Sequence, residues 1–364
     1  MRILLATALS PFAYGGAEIL AEGLRCELAR RGHDVDLLSL PFDPSDPALT
    51  PEHILSARLL DLELTPGLKP DAVIGLKFPA YLLRHPRKVV WLLHQMRAVY
   101  DLWHDPALGW AGHPAAPLLR SAIAEADRHL AEARRLFAIS SRVAERLRHF
   151  NGLEAQVLMP PVLDAELFEV GPAQGPLLYP SRLDPTKRHE LVLEALAQTR
   201  TAARLQLVFP HARASYAARL RALGAELGLD ERLEWTGAVD RAELRRLYAT
   251  CRGVVFTPLD EDYGFVTVEA MLSARPVITC RDSGGARTLV EDGANGWVVE
   301  PTPRAVARAL DELWEHPEEA QRRGQAGRIR VLNERPGWPA TVDTLLAPLE
   351  EPTGTIPRPL AAAR

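Results

Sequence analysis

Short apolar, β-branched runs alternate with longer stretches of helical periodicity along most of the chain. Runs that are apolar at every position are typical of parallel strands buried on both faces of a sheet. The first series predicts strands at residues 3–6, 35–40, 72–76, 89–93, 136–139 and 157–159. The second series predicts strands at 177–179, 205–209, 233–236, 254–257, 277–280 and 297–299. The repeated alternation predicts an α/β fold with two doubly wound parallel sheets.

Helical periodicity is clearest at residues 17–31, where Leu20, Leu24 and Leu28 form one stripe and Gly32 follows as a stop signal. Further helices are predicted around 191–196, 217–227, 244–249 and 306–313. Between the two series, residues 170–176 contain four Gly or Pro residues and no charge, which is typical of a hinge between domains. We therefore expect an N-terminal domain over 1–168, a C-terminal domain over 169–340, and a partly disordered tail over 341–364.

The composition fits this division and excludes several classes of protein. A chain of 364 residues with 47% hydrophobic residues is long enough for two cores of ordinary size. The formal net charge of -4 provides no basic field for nucleic acid, and no apolar run approaches the roughly 18 residues of a membrane span. Because Ser10, Pro11 and Glu18 interrupt the first apolar run, we interpret that run as a strand rather than a signal peptide, and we expect a cytoplasmic protein.

Polar residues that follow the strands are the candidates for function, because ligands of parallel sheets bind beyond the carboxyl ends of the strands. Gly15 and Gly16 follow the first strand and open a helix, where bare amides and the helix dipole favour an anion. His94 ends the fourth strand at the same edge of the sheet. Each of these functional interpretations has a structural alternative. The two glycines would also fit a simple turn, and His94 would also fit a histidine bonded to neighbouring backbone.

The second half of the chain places charged residues in corresponding positions. Arg182 and Lys187, five positions apart on the loop after its first strand, are suited to gripping a diphosphate. Glu261 follows the strand at 254–257, and Glu269 lies about one turn into the next helix. A solvated loop would also explain the cations, and helix capping would also explain the glutamates.

In this order, the candidate residues resemble those of the retaining glycosyltransferases of family 4, also described as glycosyl transferases group 1, from Gly15 to about Trp338. The most specific element of the resemblance is the pair Glu261 and Glu269, with seven residues between them. The resemblance implies the GT-B fold, in which two Rossmann-like doubly wound domains face each other across a cleft. It also implies that the N-terminal domain binds the acceptor, and that transfer retains anomeric configuration without a metal ion or other cofactor.

The resemblance further implies a role for each candidate residue. Glu261 and His94 would act at the transferred sugar as the catalytic residues, and Glu269 would bind the ribose hydroxyls. The other substrate-binding residues would contact the phosphates, the base or the donor sugar, and they are Gly15, Gly16, Arg182, Lys187, Val239, Tyr263, Gly264 and Phe265. Four residues near the loops after the third and fourth strands are candidates for the acceptor face, namely Lys77, Arg97, Tyr100 and Trp103. Ordinary packing or surface positions are the alternative for these four.

These expectations describe a hexosyltransferase-type enzyme that moves a sugar from a UDP- or GDP-sugar to an unidentified acceptor, in glycan or glycoconjugate biosynthesis. Ser181, Arg188, Thr288 and the segment 210–213 depart from the family's usual residues. The changes at Ser181 and Arg188 are compatible with diphosphate binding, the segment 210–213 leaves the base open, and no contact is carried over near Thr288. The alternatives are a sugar-nucleotide epimerase, a phosphorylase and a non-catalytic sugar-nucleotide-binding protein, and peripheral contact with a membrane stays open. A nicotinamide-dependent oxidoreductase is disfavoured, because no G-x-G-x-x-G follows the first strand of either half.

Overall fold

The computed structural model describes residues 1–9, 15–42, 46–63, 69–105, 108–210 and 212–351. The chain forms two compact units. The first comprises Met1–Pro161 together with Pro336–Arg364, and the second comprises Val162–Arg335. Residue 211 of the predicted 210–213 turn, and residues 352–364 of the predicted tail, lie outside the described residues.

All twelve predicted strands are present, six in each unit. In the first unit they are β1 (Arg2–Leu9), β2 (Asp34–Pro41), β3 (Ala72–Gly75), β4 (Lys88–Leu92), β5 (Arg135–Ala138) and β6 (Gln156–Val157). In the second unit they are β7 (Leu177–Pro180), β8 (Leu205–Val208), β9 (Leu233–Gly237), β10 (Val254–Val255), β11 (Val277–Cys280) and β12 (Gly296–Val299). Every pairing between neighbouring strands is parallel. The predicted α/β class with two parallel sheets is confirmed.

Helices occupy the connections between the strands. In the first unit they are α1 (Gly16–Arg30), α2 (Thr50–Leu59), α3 (Ala116–Asp127) and α4 (Ser141–Asn151). In the second unit they are α5 (His189–Ala197), α6 (Ala214–Glu226), α7 (Arg241–Thr250), α8 (Phe265–Leu272), α9 (Gly285–Leu289), α10 (Pro303–Glu315) and α11 (Pro317–Glu334), and α12 (Trp338–Glu350) returns to the first unit. None of the helices in the described ranges is long and apolar enough to cross a membrane.

The order of the strands creates a crevice in each sheet. In the first sheet the order is β2-β1-β3-β4-β5-β6, so the chain leaves β1 in one direction and later continues on its other side. In the second sheet the order is β12-β11-β10-β7-β8-β9, and the direction changes between β7 and β10. Loops that diverge at such a switch point leave room for a ligand at the carboxyl ends of the strands. The loops after β7 and β10, and those after β1 and β3, are therefore the places to examine for a site.

Apolar side chains bury the inner strands of both sheets, as the sequence pattern predicts. Leu5, Ile74 and Trp91 are fully buried in the first sheet, and Tyr179 and Ile278 are fully buried in the second. The stripe of Leu20, Leu24 and Leu28 on α1 is also buried. Burial of each such side chain contributes about 1.5–3 kcal/mol. These strands form a rigid support for the loops at their ends.

The C-terminal part of the chain differs from the prediction of a separate tail over 341–364. Helix α12 packs against α1 and β4 of the first unit, and Val342, Leu345 and Leu349 are fully buried there. Two arginines of that unit donate to carbonyl oxygens at the C-terminal end of α12: Arg87 Nε to Leu349 at 3.0 Å and Arg134 Nη1 to Pro348 at 3.1 Å. Cations at a helix C-terminus satisfy carbonyls that lack partners within the helix. Apolar burial and these hydrogen bonds fix α12 on the first unit.

The predicted hinge at 170–176 is also placed differently, because it lies within the second unit. Gly171 N donates to Ala249 O at 3.0 Å, and Gly175 N donates to Thr250 O at 2.9 Å. The buried side chain of Arg275 donates to Ala249 O at 2.6 Å. The Gly and Pro residues of this segment allow its backbone to run directly against the end of α7. The chain passes from the first unit to the second at Pro161–Val162 instead.

Candidate functional site

Three loops meet at the carboxyl edge of the second sheet, and we name them loop A (residues 181–188, after β7), loop B (256–264, after β10) and loop C (281–284, after β11). Their backbones are joined by hydrogen bonds. Leu259 N of loop B donates to Thr186 O of loop A at 2.7 Å, and Asp260 N donates to Asp282 O of loop C at 2.9 Å. These bonds hold loop B between loops A and C at the switch point of the sheet.

Arg188, one of the departures from the family's usual residues, joins loop A to loop C. It adopts a left-handed conformation with φ 54°, which glycine would adopt without strain. Its guanidinium forms a fork on the carboxylate of Asp282 at 2.7 and 2.8 Å, and its Nε donates to Thr257 O at 2.7 Å. Since these partners occupy the fork, Arg188 is part of the scaffold of the site.

Loop C approaches loop B so closely that it requires glycine. Gly284 has φ 58° and ψ −127°, a conformation that is essentially restricted to glycine. A Cβ added to Gly284 would lie 2.5 Å from the carbonyl oxygen of Glu261, and one added to Gly285 would lie 2.5 Å from that of Asp262. The double glycine therefore allows the two backbones to touch beneath the candidate residues of loop B.

We expect Gly284→Ala to lower the free energy of unfolding by about 3 kcal/mol or more, because backbone strain and a backbone clash act together. Gly293→Ala is the matched control, since Gly293 also has positive φ, 75°, but nothing lies within 4 Å of its added Cβ. Its cost should be about 1 kcal/mol, the strain alone. Urea unfolding of both variants measures the difference, and equal costs would contradict the close approach.

Lys187 and Glu261 form the polar centre of the three loops. The Lys187 Nζ atom forms an ion pair with the Glu261 carboxylate, and the two side chains are 11% and 21% exposed. Nζ also lies 5.6 Å from the centre of the Phe256 ring. A cation that is fixed and largely withdrawn from water interacts with an anion more strongly than a solvated one does. The predicted diphosphate role of Lys187 is compatible with this geometry.

Arg182, the other predicted cation, differs from Lys187. Its side chain is exposed, and it forms no ion pair with another residue in the described part of the chain. Within loop A, Asp184 accepts hydrogen bonds from Thr186 N at 3.0 Å and Thr186 Oγ1 at 2.7 Å. Burial raises the pKa of Asp184, but these bonds, together with the charges of Arg213 and Arg182, outweigh burial and hold the pKa below its usual value. The turn that carries Lys187 is thus preorganised, whereas the guanidinium of Arg182 reaches into solvent.

A buried, neutral histidine, His189, packs against loop A and supports it. His189, the first residue of α5, is buried, and its ring stacks on Tyr179 with the centroids 4.5 Å apart. Its Nε2 lies 3.1 Å from Ser181 Oγ. Burial, with the nearby charge of Lys187, lowers the pKa of His189 to about 3. His189 therefore adds no charge to the site near neutral pH, and the sequence alone did not indicate this packing role.

Glu269, on α8, is held by two residues that the sequence analysis did not select. Its Oε1 accepts from Arg241 Nη1 at 2.5 Å, and its Oε2 accepts from Tyr248 OH at 2.9 Å. Arg241 begins α7 two residues after Val239, the predicted neighbour of the base. The sequence did not indicate a role for Arg241 and Tyr248, because an arginine in an amphipathic helix is usually a surface residue and a tyrosine is usually a packing residue. Neither predicted glutamate serves as a helix cap, since both carboxylates are bound to these side chains or to Lys187.

The turn between the two glutamates forms the start of α8. Gly264 precedes the helix with φ 87°, and a Cβ there would lie 3.0 Å from Ala286 Cα. The rings of Tyr263 and Phe265 pack edge to face, with centroids 4.7 Å apart. The first turn of a helix has amides without partners inside the helix, and these favour acceptors such as hydroxyl or phosphate oxygens. The predicted contacts from Tyr263, Gly264 and Phe265 to the donor remain a prediction.

The first unit has a smaller polar cluster at its own switch point. Gly15 N donates to Glu18 Oε2 at 2.9 Å, and Lys77 Nζ donates to Glu18 Oε1, also at 2.9 Å. Gly16 begins α1, so Glu18 lies in its first turn, where a carboxylate is favourable. In this structure the Gly15 amide is used by the carboxylate of its own helix. The predicted phosphate contacts of Gly15 and Gly16 are not tested by this arrangement.

The end of β4 fixes the orientation of the predicted catalytic histidine. His94 is half-buried, and its Nδ1 lies 2.9 Å from Gln95 O. A carbonyl oxygen only accepts, so Nδ1 must carry the proton, and a neutral His94 presents Nε2 as an acceptor.

Tyr100, predicted on the acceptor face, is instead buried and donates to Asp127 Oδ2 at 2.6 Å. Tyr100 therefore belongs to the core, where its ring is buried and its hydroxyl group has a hydrogen-bond acceptor.

No group of three or more His, Cys, Asp or Glu residues in the described ranges is arranged to hold a metal ion. The groups suited to an anionic ligand are Lys187 and the first turn of α8. The carboxylates of Glu261 and Glu269 are suited to accept hydrogen bonds from hydroxyl groups. Together these groups can bind a ligand that carries both phosphates and hydroxyls.

Comparison with known proteins found a family model and several relatives that match this chain. Residues 173–330 match the family model of Glycosyl transferases group 1. A D-inositol 3-phosphate glycosyltransferase from Kineococcus radiotolerans is 25% identical over 94% of this chain and 93% of that protein. An alpha-D-kanosaminyltransferase from Streptomyces kanamyceticus is 27% identical over 69% of this chain and 63% of that protein.

Solved structures share the fold. Sucrose-phosphate synthase from Thermosynechococcus elongatus has a TM-score of 0.76 at 20% identity, covering 94% of this chain and 96% of that one. The Anabaena protein HepE in complex with UDP and glucose has a TM-score of 0.73 at 20% identity, covering 96% of this chain and 99% of that one.

The two parallel-sheet units therefore have the fold of GT-B glycosyltransferases, as the sequence predicted. The family model over residues 173–330 and the relatives support a glycosyltransferase of the kind described as glycosyl transferases group 1, with a nucleotide-sugar as donor. The epimerase, the phosphorylase and the non-catalytic binding protein are not favoured by these matches.

Proposed function

We propose that the chain is a retaining, metal-independent hexosyltransferase of family 4 that uses a UDP-sugar as its donor. The observation that carries this proposal is the ion pair of Lys187 and Glu261 on three hydrogen-bonded loops at the switch point of the second sheet. This arrangement fixes a cation and a hydroxyl-binding carboxylate side by side before the ligand arrives. A sugar diphosphate carries phosphates that such a cation can bind and hydroxyl groups that such a carboxylate can bind.

The difficult step of the proposed reaction is the departure of the nucleoside diphosphate. Negative charge grows on the phosphate oxygen as the bond to the anomeric carbon breaks, and preorganised positive groups stabilise that charge most effectively. Lys187 provides a fixed ammonium, and the exposed Arg182 has a fork that can rotate onto the phosphates. The first turn of α8 adds amides and the positive end of its dipole. These groups would do the electrostatic work that a divalent cation does elsewhere.

Retention is proposed to follow from attack on the face from which the diphosphate leaves. The leaving phosphate oxygen would accept the proton of the acceptor hydroxyl, so no side chain needs to act as nucleophile. Glu261 would accept hydrogen bonds from hydroxyls of the donor sugar and orient it. His94, with its Nε2 as acceptor, is proposed to stabilise the transferred sugar rather than to attack it.

The choice of UDP over GDP is supported by the UDP complex of the HepE protein, which shares the fold. Acceptors named for the relatives range from an inositol phosphate to an O-antigen chain, so the proposed acceptor is described only as a compound with a free hydroxyl. We propose a role in glycan or glycoconjugate biosynthesis and a cytoplasmic location.

We expect UDP to stabilise the purified protein in the presence of EDTA. At 100 times its dissociation constant, a ligand raises the free energy of unfolding by about 2.7 kcal/mol, which corresponds to a Tm increase of about 2–4 °C. Melting curves with UDP, GDP and phosphate-free uridine measure this, and uridine should have the smallest effect. A larger Tm increase with GDP than with UDP would show that the donor carries guanine rather than uracil. A UDP shift that disappears in EDTA and returns with Mg²⁺ or Mn²⁺ would refute metal independence.

A further inference from the structure

The carboxylate of Glu269 is bound on both oxygens by protein groups and still has acceptor positions that these groups do not use. Arg241 Nη1 contacts Oε1 at 2.5 Å, and Tyr248 OH contacts Oε2 at 2.9 Å. An ionised carboxylate offers about four acceptor positions, so about two remain after these contacts. Glu269 is 7% exposed, and only a small part of it faces solvent. A carboxylate with one acceptor position left on each oxygen can bind two neighbouring hydroxyl groups.

Arg241 is itself held from a second side. Its Nη2 donates to Asp164 Oδ1 at 3.0 Å, and its guanidinium lies 5.2 Å from the centre of the Phe168 ring. Burial alone would lower the pKa of Arg241, but Glu269 and Asp164 outweigh burial and raise it above its usual value. A planar guanidinium held by carboxylates on two sides and an aromatic ring has little freedom to rotate. Arg241 can therefore set the position of the Glu269 carboxylate.

We propose that Arg241 is a positioning residue that orients the Glu269 carboxylate for the two ribose hydroxyls of the donor, with Asp164 as its second anchor. This inference rests on the proposed function, because it assumes that Glu269 binds the ribose. Arg241 contacts the carboxylate rather than the nucleotide, so it acts on the ligand through Glu269. Its effect should therefore be confined to the recognition of ribose hydroxyls.

The alternative is that Arg241 stabilises the fold and has no effect on binding. A melting curve cannot separate the two roles, since both lower stability when Arg241 is replaced. The affinity ratio of UDP to 2′-deoxy-UDP can separate them, because a purely structural residue would leave this ratio unchanged in the folded protein. The ratio reports on one hydroxyl group and is insensitive to the fraction of protein that is active.

The experiment is titration calorimetry with UDP and 2′-deoxy-UDP. We expect the parent protein to prefer UDP by roughly 10-fold or more, as for a hydrogen bond to a charged group. In Arg241→Gln this preference should fall to about 2-fold or less, and Arg241→Lys should recover only part of it because lysine lacks the fork. Arg246→Gln is the matched control on the same helix, since Arg246 is exposed and pairs only with Glu243 among the described residues, and it should keep the parent ratio.

Tyr248→Phe provides a second route if Arg241→Gln does not fold. It removes the hydroxyl from Oε2 and keeps the guanidinium, so the preference should fall by a smaller factor, to about 3- to 5-fold. A parent that prefers UDP, together with an Arg241→Gln variant of unchanged preference, would overturn this inference and leave the proposed function intact. A parent that binds neither UDP nor GDP would overturn the proposed function and this inference with it.

Discussion

Lys187→Ala is expected to lower kcat/KM for the nucleotide-sugar donor by about 100- to 1000-fold, the range measured for loss of one preorganised group at a developing anion. The reason is the position of Nζ, which is fixed against Glu261 and over the Phe256 ring with little exposure to water. UDP affinity should fall as well, by roughly 10- to 100-fold, because the diphosphate carries charge before it leaves. Steady-state kinetics and calorimetry with UDP measure the two effects.

Two variants separate the charge of Lys187 from its shape and from general surface charge. Lys187→Arg keeps the charge and should recover part of the UDP affinity. Arg200→Ala removes a cation ahead of β8, at the opposite edge of the same sheet, where the side chain is 81% exposed and lies 3.6 Å from Asp311. That change should leave both kinetics and affinity as they are. A Lys187→Ala enzyme with the kcat/KM of its parent would show that the cation has no part in the reaction.

Replacement of Glu269 and replacement of Glu261 are expected to affect different properties of the enzyme. Glu269→Ala should weaken UDP binding by about 1.5–3 kcal/mol, because a carboxylate that accepts hydroxyl groups is lost. Glu261→Ala should leave UDP affinity within about 3-fold of the parent, because removal of Glu261 also releases Lys187 for the diphosphate. Its turnover of the full donor should nevertheless fall, as for an interaction made in the transition state.

Calorimetry with UDP and initial-rate kinetics with the full donor test this division. Glu269→Gln serves as an isosteric control for packing, since it keeps the shape of the side chain and removes its charge beside Arg241. A Glu269→Ala variant that binds UDP like the parent would refute the ribose assignment. If Glu261→Ala lost UDP affinity to the same degree as Glu269→Ala, the two residues would not have separate tasks.

The fold could be predicted almost entirely from the pattern of apolar residues. Most inner strands of both sheets are short apolar runs buried on both faces, so their positions are visible without knowledge of their neighbours. The boundary between the units could not be predicted in the same way. The segment 170–176 has the composition of a hinge, yet its backbone bonds to the end of α7, and only tertiary structure reveals such bonds. The apolar face of α12 likewise did not indicate which unit it would cover.

The candidate site could be predicted less completely than the fold. Lys187 and Glu261 follow strands, and each has a characteristic spacing from another candidate, Arg182 and Glu269 respectively. The structure brings Lys187 and Glu261 into contact. Arg241, Tyr248 and Asp164 have no such signal, because their importance comes from what they touch. A residue that acts by holding another residue is visible only when the distances between them are known. This limit applies to any supporting group at a site, whichever protein carries it.

The contacts among loops A, B and C have a consequence for attempts to change the donor sugar by exchanging segments between enzymes. A loop B transplanted alone from a relative with a different donor would have to keep its backbone bonds at Leu259 and Asp260, and these depend on the backbone paths of loops A and C. Its path over Gly284 and Gly285 also requires glycine at both positions. Successful chimeras should therefore inherit all three loops from one parent, including the residue pair that corresponds to Arg188 and Asp282.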